Sequence, residues 1–277
     1  MEKKLFINFI DYYKDDVDHM LDIIKDVGFD GVNFSWNKGV NYTLLVNKIR
    51  GRGLLIDYIH GPYLDINHFW YEISEVKDVF LNTLKECIDF TKSINVDKVV
   101  IHPFIGFEEH NPTETGILYF EKLLKYAKEK DILLCFENVE GDEYLSLIFE
   151  RLFNKYDNAR FCLDTGHELC YNRGVDQLAK YGRYLSCTHI NDNIGVTGEN
   201  ITWTDDLHYI PYDGILDVDN LIQRLKVCEY KGDLSLELKI NKTGSTPIYE
   251  KYIGYSKEEY FKKAYEVLVY IKNQLLK

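Results

Sequence analysis

The sequence predicts an α/β protein that forms a closed (β/α)₈ barrel, and three observations lead to this fold class. Strand-like and helix-like segments alternate along the whole chain, which is typical of parallel strands joined by crossover helices. Eight such pairs fit into 277 residues, and a barrel of this kind needs about 250. No glycine-rich G-x-G-x-x-G pattern follows the first strand, which disfavours an open dinucleotide-binding sheet. We therefore expect one domain that covers residues 1–277.

Short apolar runs bounded by polar or glycine residues indicate the strands. Most are too short for a buried helix, and a parallel sheet covered by helices on its outside favours such near-continuous apolar strands. In chain order the predicted strands are Leu5–Ile10, Gly31–Trp36, Leu54–His60, Lys98–His102, Ile132–Glu137, Arg160–Asp164, Leu185–Ile190 and Asp233–Leu238.

Between the strands, apolar residues recur at the spacing of one helix face, as Val17, Met20, Leu21 and Ile24 do. Gly28 stands where a glycine ends the first helix. Ser256 and Glu259 predict a capping box at the start of the last helix. The predicted helices are Asp15–Val27, Thr43–Arg52, Glu75–Ser93, Glu114–Lys130, Glu143–Tyr156, Asp176–Tyr181, Asp219–Tyr230 and Lys257–Gln274.

Composition and charge restrict the setting in which the protein works. The formal net charge of −12 disfavours non-specific binding to nucleic acid or to an anionic membrane. No apolar run reaches the roughly 18 residues of a membrane helix, and the first residues lack a signal-peptide pattern. None of the six cysteines forms a Cys-x-x-Cys pair, which is typical of reduced core thiols. We expect a cytoplasmic protein, and the sequence leaves homo-oligomerisation open.

One connection is unusually long, because about 28 residues separate the seventh predicted strand from the helix that follows it. Connections longer than about 15 residues inside a compact domain are usually functional or disordered. This one contains Trp203, Asp205, Asp206, His208 and Pro211. Such residues favour a functional loop.

Histidines and carboxylates stand at the ends of successive strands, where the active sites of (β/α)₈ barrels lie. Buried in apolar strands, such groups cost several kcal/mol unless they are paired or bind a metal. Imidazole together with carboxylate is a ligand set for Zn²⁺, Mn²⁺, Fe²⁺ or Co²⁺. The strand-end residues are His60, His102, Glu137, Asp164, His189 and Glu237, followed by His167 and the loop residues Asp206 and His208.

Seven short motifs in this order carry a family resemblance. They are His60-Gly-Pro-Tyr63, Val100-Ile-His-Pro103, Phe136-Glu-Asn138, Leu163-Asp-Thr-Gly-His167, His189-Ile-Asn-Asp192, His208-x-x-Pro211-x-x-Gly214-x-x-Asp217 and Leu236-Glu-Leu238. From the third strand to the eighth, the chain resembles the xylose isomerase-like TIM barrel superfamily. That superfamily includes sugar-phosphate isomerases and epimerases, inosose dehydratases and abasic-site nucleases of the endonuclease IV type.

The resemblance to the epimerases implies one divalent metal (Mn²⁺, Zn²⁺, Co²⁺ or Mg²⁺) and a sugar or sugar-phosphate substrate. The metal would stabilise an enediolate as a Lewis acid, and Glu137 and Glu237 would act as the acid–base pair. By the same resemblance, the metal ligands are Glu137, Asp164, His189 and Glu237. The expected substrate-binding residues are His60, His102, His167, His208, Asn191 and Lys239.

The resemblance to the nuclease implies a different centre, with nine ligands around three zinc ions. Matching residue types stand at His60, His102, Glu137, Asp164, His167, His189, Asp206, His208 and Glu237. Two features favour the sugar enzyme: His189-Ile-Asn-Asp192 is not followed by the Ser-Lys of the nuclease pattern, and the net charge is strongly negative. Nucleic acid is therefore a disfavoured partner.

The substrate remains open at this point. Gly195 stands where ketose epimerases have an arginine six residues after the strand-seven histidine. An inosose dehydratase-like enzyme and a non-catalytic sugar-binding barrel are further alternatives, although a binder needs no pair of glutamates. The loop Phe69-Trp70-Tyr71 and Trp203 are candidates for stacking walls over a sugar or for a subunit contact.

Overall fold

A computed structural model describes residues 3–9, 16–107, 111–239 and 251–277, and it confirms the (β/α)₈ barrel. The strands are β1 (Leu5–Asn8), β2 (Gly31–Ser35), β3 (Leu55–His60), β4 (Lys98–Ile101), β5 (Leu133–Glu137), β6 (Ala159–Asp164), β7 (Leu185–His189) and β8 (Leu234–Leu236). They pair in parallel in the order β7-β6-β5-β4-β3-β2-β1-β8. The end of the first predicted strand at Ile10 and the start of the first predicted helix at Asp15 lie outside the described residues.

Helices connect the strands on the outside of the barrel. They are α1 (Val17–Val27), α2 (Thr43–Gly51), α3 (Lys77–Ser93), α4 (Glu114–Glu129), α5 (Asp142–Ile148), α6 (Thr165–Leu169), α7 (Gln177–Tyr181), α8 (Val218–Val227) and α9 (Lys257–Leu275). The short helix α6 is not predicted from the sequence, because five residues are too few to show a helical period. Among the described helices, none combines the length and the apolar character required to cross a membrane.

The predicted helix ends are present. Gly28 ends α1 with φ of 118°, a conformation that glycine adopts without the penalty of a side chain. The Ser256 side chain accepts from the backbone N–H of Glu259, and the Glu259 carboxylate accepts from the backbone N–H of Ser256. This is the predicted capping box, and it fixes where α9 begins.

The barrel closes between β7 and β8 through a short contact. Ile190 and Leu236 form a single parallel bridge, and the backbone N–H of Glu237 donates to the carbonyl of Ile190 at 3.2 Å. The hydroxyl of Thr188 accepts from the backbone N–H of Ser235 at 3.0 Å. This closure places His189 and Glu237, which end or follow the two strands, next to each other at the rim.

The long connection after β7 is organised by one buried carboxylate. Asp192 accepts backbone N–H bonds from Asn193, Tyr212, Gly214 and Leu216 at 2.8–3.1 Å. A Cβ atom on Gly214 would lie 2.3 Å from the Asp192 carboxylate, so glycine permits this close approach. The connection is therefore an ordered loop, and it brings Asp206 and His208 over the carboxyl end of the barrel.

Candidate metal centre and cavity

The carboxyl-terminal rim collects the histidines and carboxylates that the sequence singles out. His60, Glu137, Asp164 and His189 are the last residues of β3, β5, β6 and β7. Their side chains therefore extend from neighbouring parallel strands towards one end of the barrel. His102 and Glu237 directly follow β4 and β8, His167 lies in α6, and Asp206 and His208 lie in the long loop.

Glu137 lies at the centre of this rim and is 1% exposed. Nitrogen atoms of four imidazoles surround its carboxylate: Nε2 of His60 and of His102 at 3.3 Å, Nδ1 of His167 at 3.2 Å and Nδ1 of His189 at 3.1 Å. An ion pair requires only one cationic partner, whereas the Glu137 carboxylate has four imidazole neighbours. The arrangement resembles a ligand shell more than a structural salt bridge.

The rim residues fall into three sets in which one ligand atom of each member lies within 4.8 Å of the others. The sets are His60, His102 and Glu137; Glu137, Asp164, His189 and Glu237; and His167, Asp206 and His208. Glu137 belongs to two of the sets, so the first two are adjacent. All nine rim residues of the sequence analysis are brought together, while their roles stay predictions.

The four-residue set is the most deeply buried of the three. Nδ1 of His189 lies 2.8 Å from Glu237, 3.1 Å from Glu137 and 3.8 Å from Asp164. His189 and Asp164 are fully buried, whereas the Glu237 side chain is 23% exposed. The set therefore has a closed side formed by β6 and β7 and an open side at Glu237.

Hydrogen bonds from amide groups fix the orientation of the Asp164 carboxylate. The side chain of Asn191 donates to both carboxylate oxygens at 3.0 and 3.1 Å, and the backbone N–H of His167 donates to the same carboxylate at 2.7 Å. Such outer partners fix the orientation of a metal ligand. A Cβ atom on Gly166 would lie 1.8 Å from the amide oxygen of Asn191. Asn191 is fully buried and is not part of the cavity wall, so it has no access to substrate in this structure.

The third set lies in the long loop. The Asp206 carboxylate lies 2.7 Å from Nε2 of His208, 3.7 Å from Nε2 of His167 and 2.9 Å from the Lys239 ammonium. Nδ1 of His208 lies 2.9 Å from the carbonyl oxygen of Glu237. His208 has φ of 48°, a left-handed conformation that is costly for a residue with a side chain. Strain of this kind is common at functional sites.

The charges of the rim depend on one another. Burial disfavours the charged form of Glu137, but the imidazoles of His189 and His102 hold its pKa well below the ordinary value. Burial likewise disfavours charged His189, yet Glu237 above all raises the pKa of His189 well above its ordinary value. Burial raises the pKa of Asp164 to about 6. The pKa of His167 is raised like that of His189, with Asp164 as the main cause, so these two imidazoles hold protons beside the buried carboxylates when no cation is bound.

A divalent cation fits this donor set. Ligating histidines must be neutral, and an ion would replace the protons that they otherwise hold. Within the described ranges, the buried Nε2 of His189 and Oδ1 of Asp206 have no hydrogen-bond partner, although buried polar atoms are normally paired. Mixed imidazole and carboxylate donors suit Zn²⁺, Mn²⁺ or Co²⁺. The residues present therefore fit a resident divalent metal.

A cavity of about 340 Å³ opens from the rim to solvent. Its wall includes His60, His102, Glu137, His167, Asp206, His208, Glu237 and Lys239 of the predicted site, together with Asn33, Tyr58, Tyr63, Glu140, Tyr171 and Trp203. This volume lies within the range of roughly 300–1,000 Å³ that is typical of small-molecule sites.

Two expectations about aromatic residues have different outcomes. Phe69 and Trp70 are at most 1% exposed and pack against Phe120. They belong to the core and form no wall over a sugar, so that expectation is wrong. Trp203 is 54% exposed and lies in the cavity wall. Spacing alone could not separate these aromatics, because both segments are short turns without a helical or strand period.

Sequence reasoning also missed Glu140, which is 5% exposed and lies in the cavity wall. Burial raises the pKa of Glu140 to about 7. It stands three residues beyond Glu137, just before the left-handed Gly141 that begins α5. A carboxylate in a loop that follows a catalytic strand end is the signal that could have found it.

The fold and this cluster define the class of protein as a (β/α)₈ barrel with a candidate metal centre at its carboxyl-terminal rim. A family model described as the xylose isomerase-like TIM barrel matches residues 21–268. The chain belongs to the xylose isomerase-like TIM barrel family.

Solved structures of low sequence identity share the fold along the whole chain. The IolI protein with a bound zinc atom has a TM-score of 0.76 and 16% identity, and the match covers 98% of this chain and 99% of that one. The D-psicose 3-epimerase of Clostridium cellulolyticum, solved with D-tagatose, has a TM-score of 0.72 and 12% identity over 98% and 99% of the two chains.

An L-ribulose 3-epimerase has a TM-score of 0.74 and 17% identity over 100% of this chain and 96% of that one. A protein of Sinorhizobium fredii called uncharacterized protein y4fM is 24% identical, and the match covers 95% of this chain and 91% of that protein. These similarities confirm the fold and the family, while the reaction has to be argued from the site.

Proposed function

We propose that the protein is a divalent-metal-dependent sugar isomerase or epimerase in which Glu137 and Glu237 transfer protons. The observation that carries this proposal is the set Glu137, Asp164, His189 and Glu237, whose ligand atoms lie within 4.8 Å of one another. Both glutamates also lie in the wall of the cavity. A set of this kind can bind a cation and still present carboxylates to a substrate.

When bound, the metal would act as a Lewis acid that stabilises negative charge on the carbonyl and neighbouring hydroxyl oxygens of a keto-sugar. Glu137 and Glu237 flank His189 at 3.1 and 2.8 Å, so they approach the centre from different strands. In an epimerase, one glutamate removes the proton on the carbon beside the carbonyl, and the other returns a proton to the opposite face of that carbon. In an isomerase, the proton is instead returned to the neighbouring carbon, which was the carbonyl carbon. Positioned acid–base groups of this kind contribute about 10²–10⁴-fold to a rate.

The remaining wall residues suit a polar, hydroxylated substrate. His60, His102, His167 and His208 present imidazole groups that can donate to or accept from hydroxyls. Within the described part of the chain, Lys239 is the only lysine or arginine in the wall, and its ammonium lies 2.9 Å from Asp206. This charge balance favours a neutral sugar over a sugar phosphate.

The names of the similar structures support the same class of reaction. Two of them are ketose 3-epimerases, one solved with D-tagatose, and the IolI structure contains zinc. Identities of 12–17% establish the fold alone. The support for this chain therefore comes from its own set of candidate metal ligands at the carboxyl-terminal end of the barrel.

The test combines metal counting with proton exchange. Protein purified without chelator would be analysed for Mn, Zn, Co and Mg, then incubated with D-fructose, D-tagatose and D-psicose in deuterated water. We expect one metal per chain, and deuterium incorporation beside the carbonyl of at least one ketose that stops on chelation and returns with the metal. One metal per chain without exchange into any ketose of an extended panel would favour a sugar-binding protein instead.

A second candidate function rests on a separate observation, which is the presence of all three ligand sets. Three sets at one rim, two of which share Glu137, would suit a cluster of ions that generates hydroxide and stabilises a leaving oxygen. We therefore propose, as the alternative, a hydrolase for phosphate esters of the abasic-site nuclease kind. Three zinc ions per chain and nicking of a duplex with one abasic site would support it. One ion per chain and an intact duplex would contradict it.

A further inference from the structure

An aromatic wall extends from the rim towards solvent. The ring of Tyr171 lies 4.8 Å from that of His167 and 6.3 Å from that of Trp203. The ring of Phe107 lies 4.8 Å from Trp203 and 5.8 Å from Tyr171. Phe107 is 41% and Trp203 is 54% exposed. Tyr171 and Trp203 lie in the cavity wall, and Phe107 packs against both of their rings.

The exposure of these rings argues against a role in the core. Core aromatic residues of this protein, such as Trp70 and Phe120, are at most 1% exposed. Phe107 and Trp203 come from different connections, one after β4 and one after β7. Trp203 lies in the cavity wall, and because Trp203 and Phe107 contact each other while staying about half exposed, they form a surface on which a flat apolar face can stack.

A buried carboxyl group accompanies the aromatic wall. Glu140 is 5% exposed, lies in the same cavity wall as Tyr171 and Trp203, and within the described ranges its side chain makes no hydrogen bond or ion pair to another residue. The Glu140 carboxyl accepts from its own backbone N–H, and a carboxyl group can bond more than one partner. A ligand hydroxyl in the cavity can therefore add a hydrogen bond to this carboxyl.

We propose that Glu140, Tyr171, Trp203 and Phe107 form a subsite for a sugar ring beside the metal centre. This inference rests on the proposed function and names its substrate class: a keto-sugar joined to a second, cyclic sugar unit, which this subsite would bind. The ring would stack its C–H face on Trp203, and hydroxyls on its edge would bond the Glu140 carboxyl. The contact between the rings of Tyr171 and His167 places this subsite next to the rim.

Trp203 makes the binding step directly observable. The chain has three tryptophans; Trp36 is 7% and Trp70 is 1% exposed, so a change of fluorescence on ligand binding reports mainly on Trp203. The metal-loaded protein would be titrated with methyl β-D-glucopyranoside, with cellobiose and with sorbitol, which has hydroxyls but no ring face. We expect saturable changes with both cyclic saccharides and at least tenfold weaker binding of sorbitol. Equal affinity for sorbitol and the cyclic probes would overturn the proposal.

Variants identify the residues that contribute to saccharide binding. Affinities of variants that lack Trp203 would be measured by calorimetry, because these variants lose the fluorescence signal. From the strength of aromatic contacts, we expect Trp203→Ala to weaken binding of methyl β-D-glucopyranoside about three- to tenfold and Trp203→Phe to restore most of it. Glu140→Ala should weaken it by about tenfold, with Glu140→Gln in between. The matched control is Tyr270→Ala, which removes an exposed aromatic residue of α9. Unchanged affinity in both Trp203→Ala and Glu140→Ala contradicts the subsite.

The outcome of the saccharide titrations can be distinguished from the outcome of the proton-exchange assay that tests the proposed function. Proton exchange into ketoses tests the reaction, whereas the titrations test binding alone. Exchange without any dependence of saccharide binding on Trp203 or Glu140 would overturn the subsite and leave the reaction standing. Dependence on both residues without exchange would support the subsite and overturn the isomerase or epimerase.

Discussion

The barrel contains two clusters of buried ionisable groups, and they are built differently. The rim cluster consists of the nine histidines and carboxylates of the three ligand sets. The lower cluster lies nearer the amino ends of the strands and consists of Asp57, Tyr58, Lys98, Cys135, Cys162 and Cys187. In the lower cluster Asp57 and Lys98 form a one-to-one ion pair at 2.5 Å, with side chains 12% and 13% exposed.

This difference in pairing distinguishes ionisable groups that stabilise the fold from groups that are available for function. In the lower cluster each full charge has one opposite partner, and burial raises the thiol pKa values, so those groups stay neutral. In the rim cluster four imidazoles surround Glu137, while Nε2 of His189 and Oδ1 of Asp206 are buried without a hydrogen bond to any residue that the structure describes. Buried charges that are paired with each other stabilise the fold. Buried groups that lack such partners, as in the rim cluster, are suited to binding a cation or a ligand. In (β/α)₈ barrels the carboxyl-terminal face carries function and the opposite face carries stability.

The largest expected effect is loss of turnover on neutralising either glutamate of the four-residue set. In Glu137→Gln and in Glu237→Gln an amide replaces the carboxylate, which removes the proposed proton-transfer group and a proposed metal ligand. We expect kcat in the exchange assay to fall about 10²–10⁴-fold or more, with metal content reduced most in Glu137→Gln. Circular dichroism should show an unchanged fold.

The matched control for that experiment is Glu143→Gln, which neutralises an exposed carboxylate of α5 and should leave kcat unchanged. Full activity in either active-site variant would remove the assigned proton-transfer role. Loss of folded structure in both would mean that the rim serves stability, and the contrast between the two clusters would fail.

The second-largest expected effect is a loss of stability when the ion pair of the lower cluster is broken. Burial raises the pKa of Asp57 even though Lys98 lies 2.5 Å away, so the carboxylate depends on its partner. Lys98→Met leaves an unpaired buried charge, and we expect the free energy of unfolding to fall by about 3–5 kcal/mol, measured by urea denaturation. The double variant Asp57→Leu/Lys98→Met should recover most of that loss. Metal content should stay unchanged in both, and a loss of metal would show that the two clusters are coupled.

Sequence patterns predicted the barrel and the rim because both follow from strong local signals. Alternating strands and helices determine the fold class, and parallel strands bring residues such as Glu137 and Asp164 to one end. The sequence gives no comparable signal for α6, a five-residue helix whose first turn is capped by the Asp164 carboxylate. It also gives no signal for the direction of side chains in short turns, which is why Phe69 and Trp70 were misjudged. Asn191 was expected to bind substrate, whereas its amide orients Asp164.

A smaller expected effect is a pH-dependent change in the free energy of unfolding when Glu140 is replaced by glutamine. Its folded-state pKa is about 7, against an ordinary value of 4.5, with His167, Asp206 and Glu137 as the charged neighbours. Between these values the folded protein holds a proton that the unfolded chain releases, so the stability contribution of Glu140 is lost as pH rises. In metal-free protein, the advantage of Glu140→Gln in unfolding free energy should grow by roughly 2–3 kcal/mol from pH 5 to pH 8.

Denaturant unfolding at several pH values measures this difference. Glu143→Gln is again the control, because an exposed carboxylate should give a nearly flat difference across the same range. A flat profile for Glu140→Gln would mean that the carboxyl is solvated or paired, which would also weaken its assignment to the sugar subsite. A steep profile would place Glu140 with the rim cluster, among the groups that need a partner from outside.

The smallest effect is expected when the lower cluster is probed by a thiol reagent. Five of the six cysteines are buried, and Cys228 is partly buried, so an Ellman-type reagent should modify at most one thiol in the folded protein and all six in denaturant. Chelation should leave the folded count unchanged, because the rim can lose its cation without opening the barrel below it. Cys228→Ala supplies the control by removing the one accessible thiol. If chelation exposes Cys135, Cys162 and Cys187, the cation supports the interior as well as the rim, and the separation of stability from function would have to be abandoned.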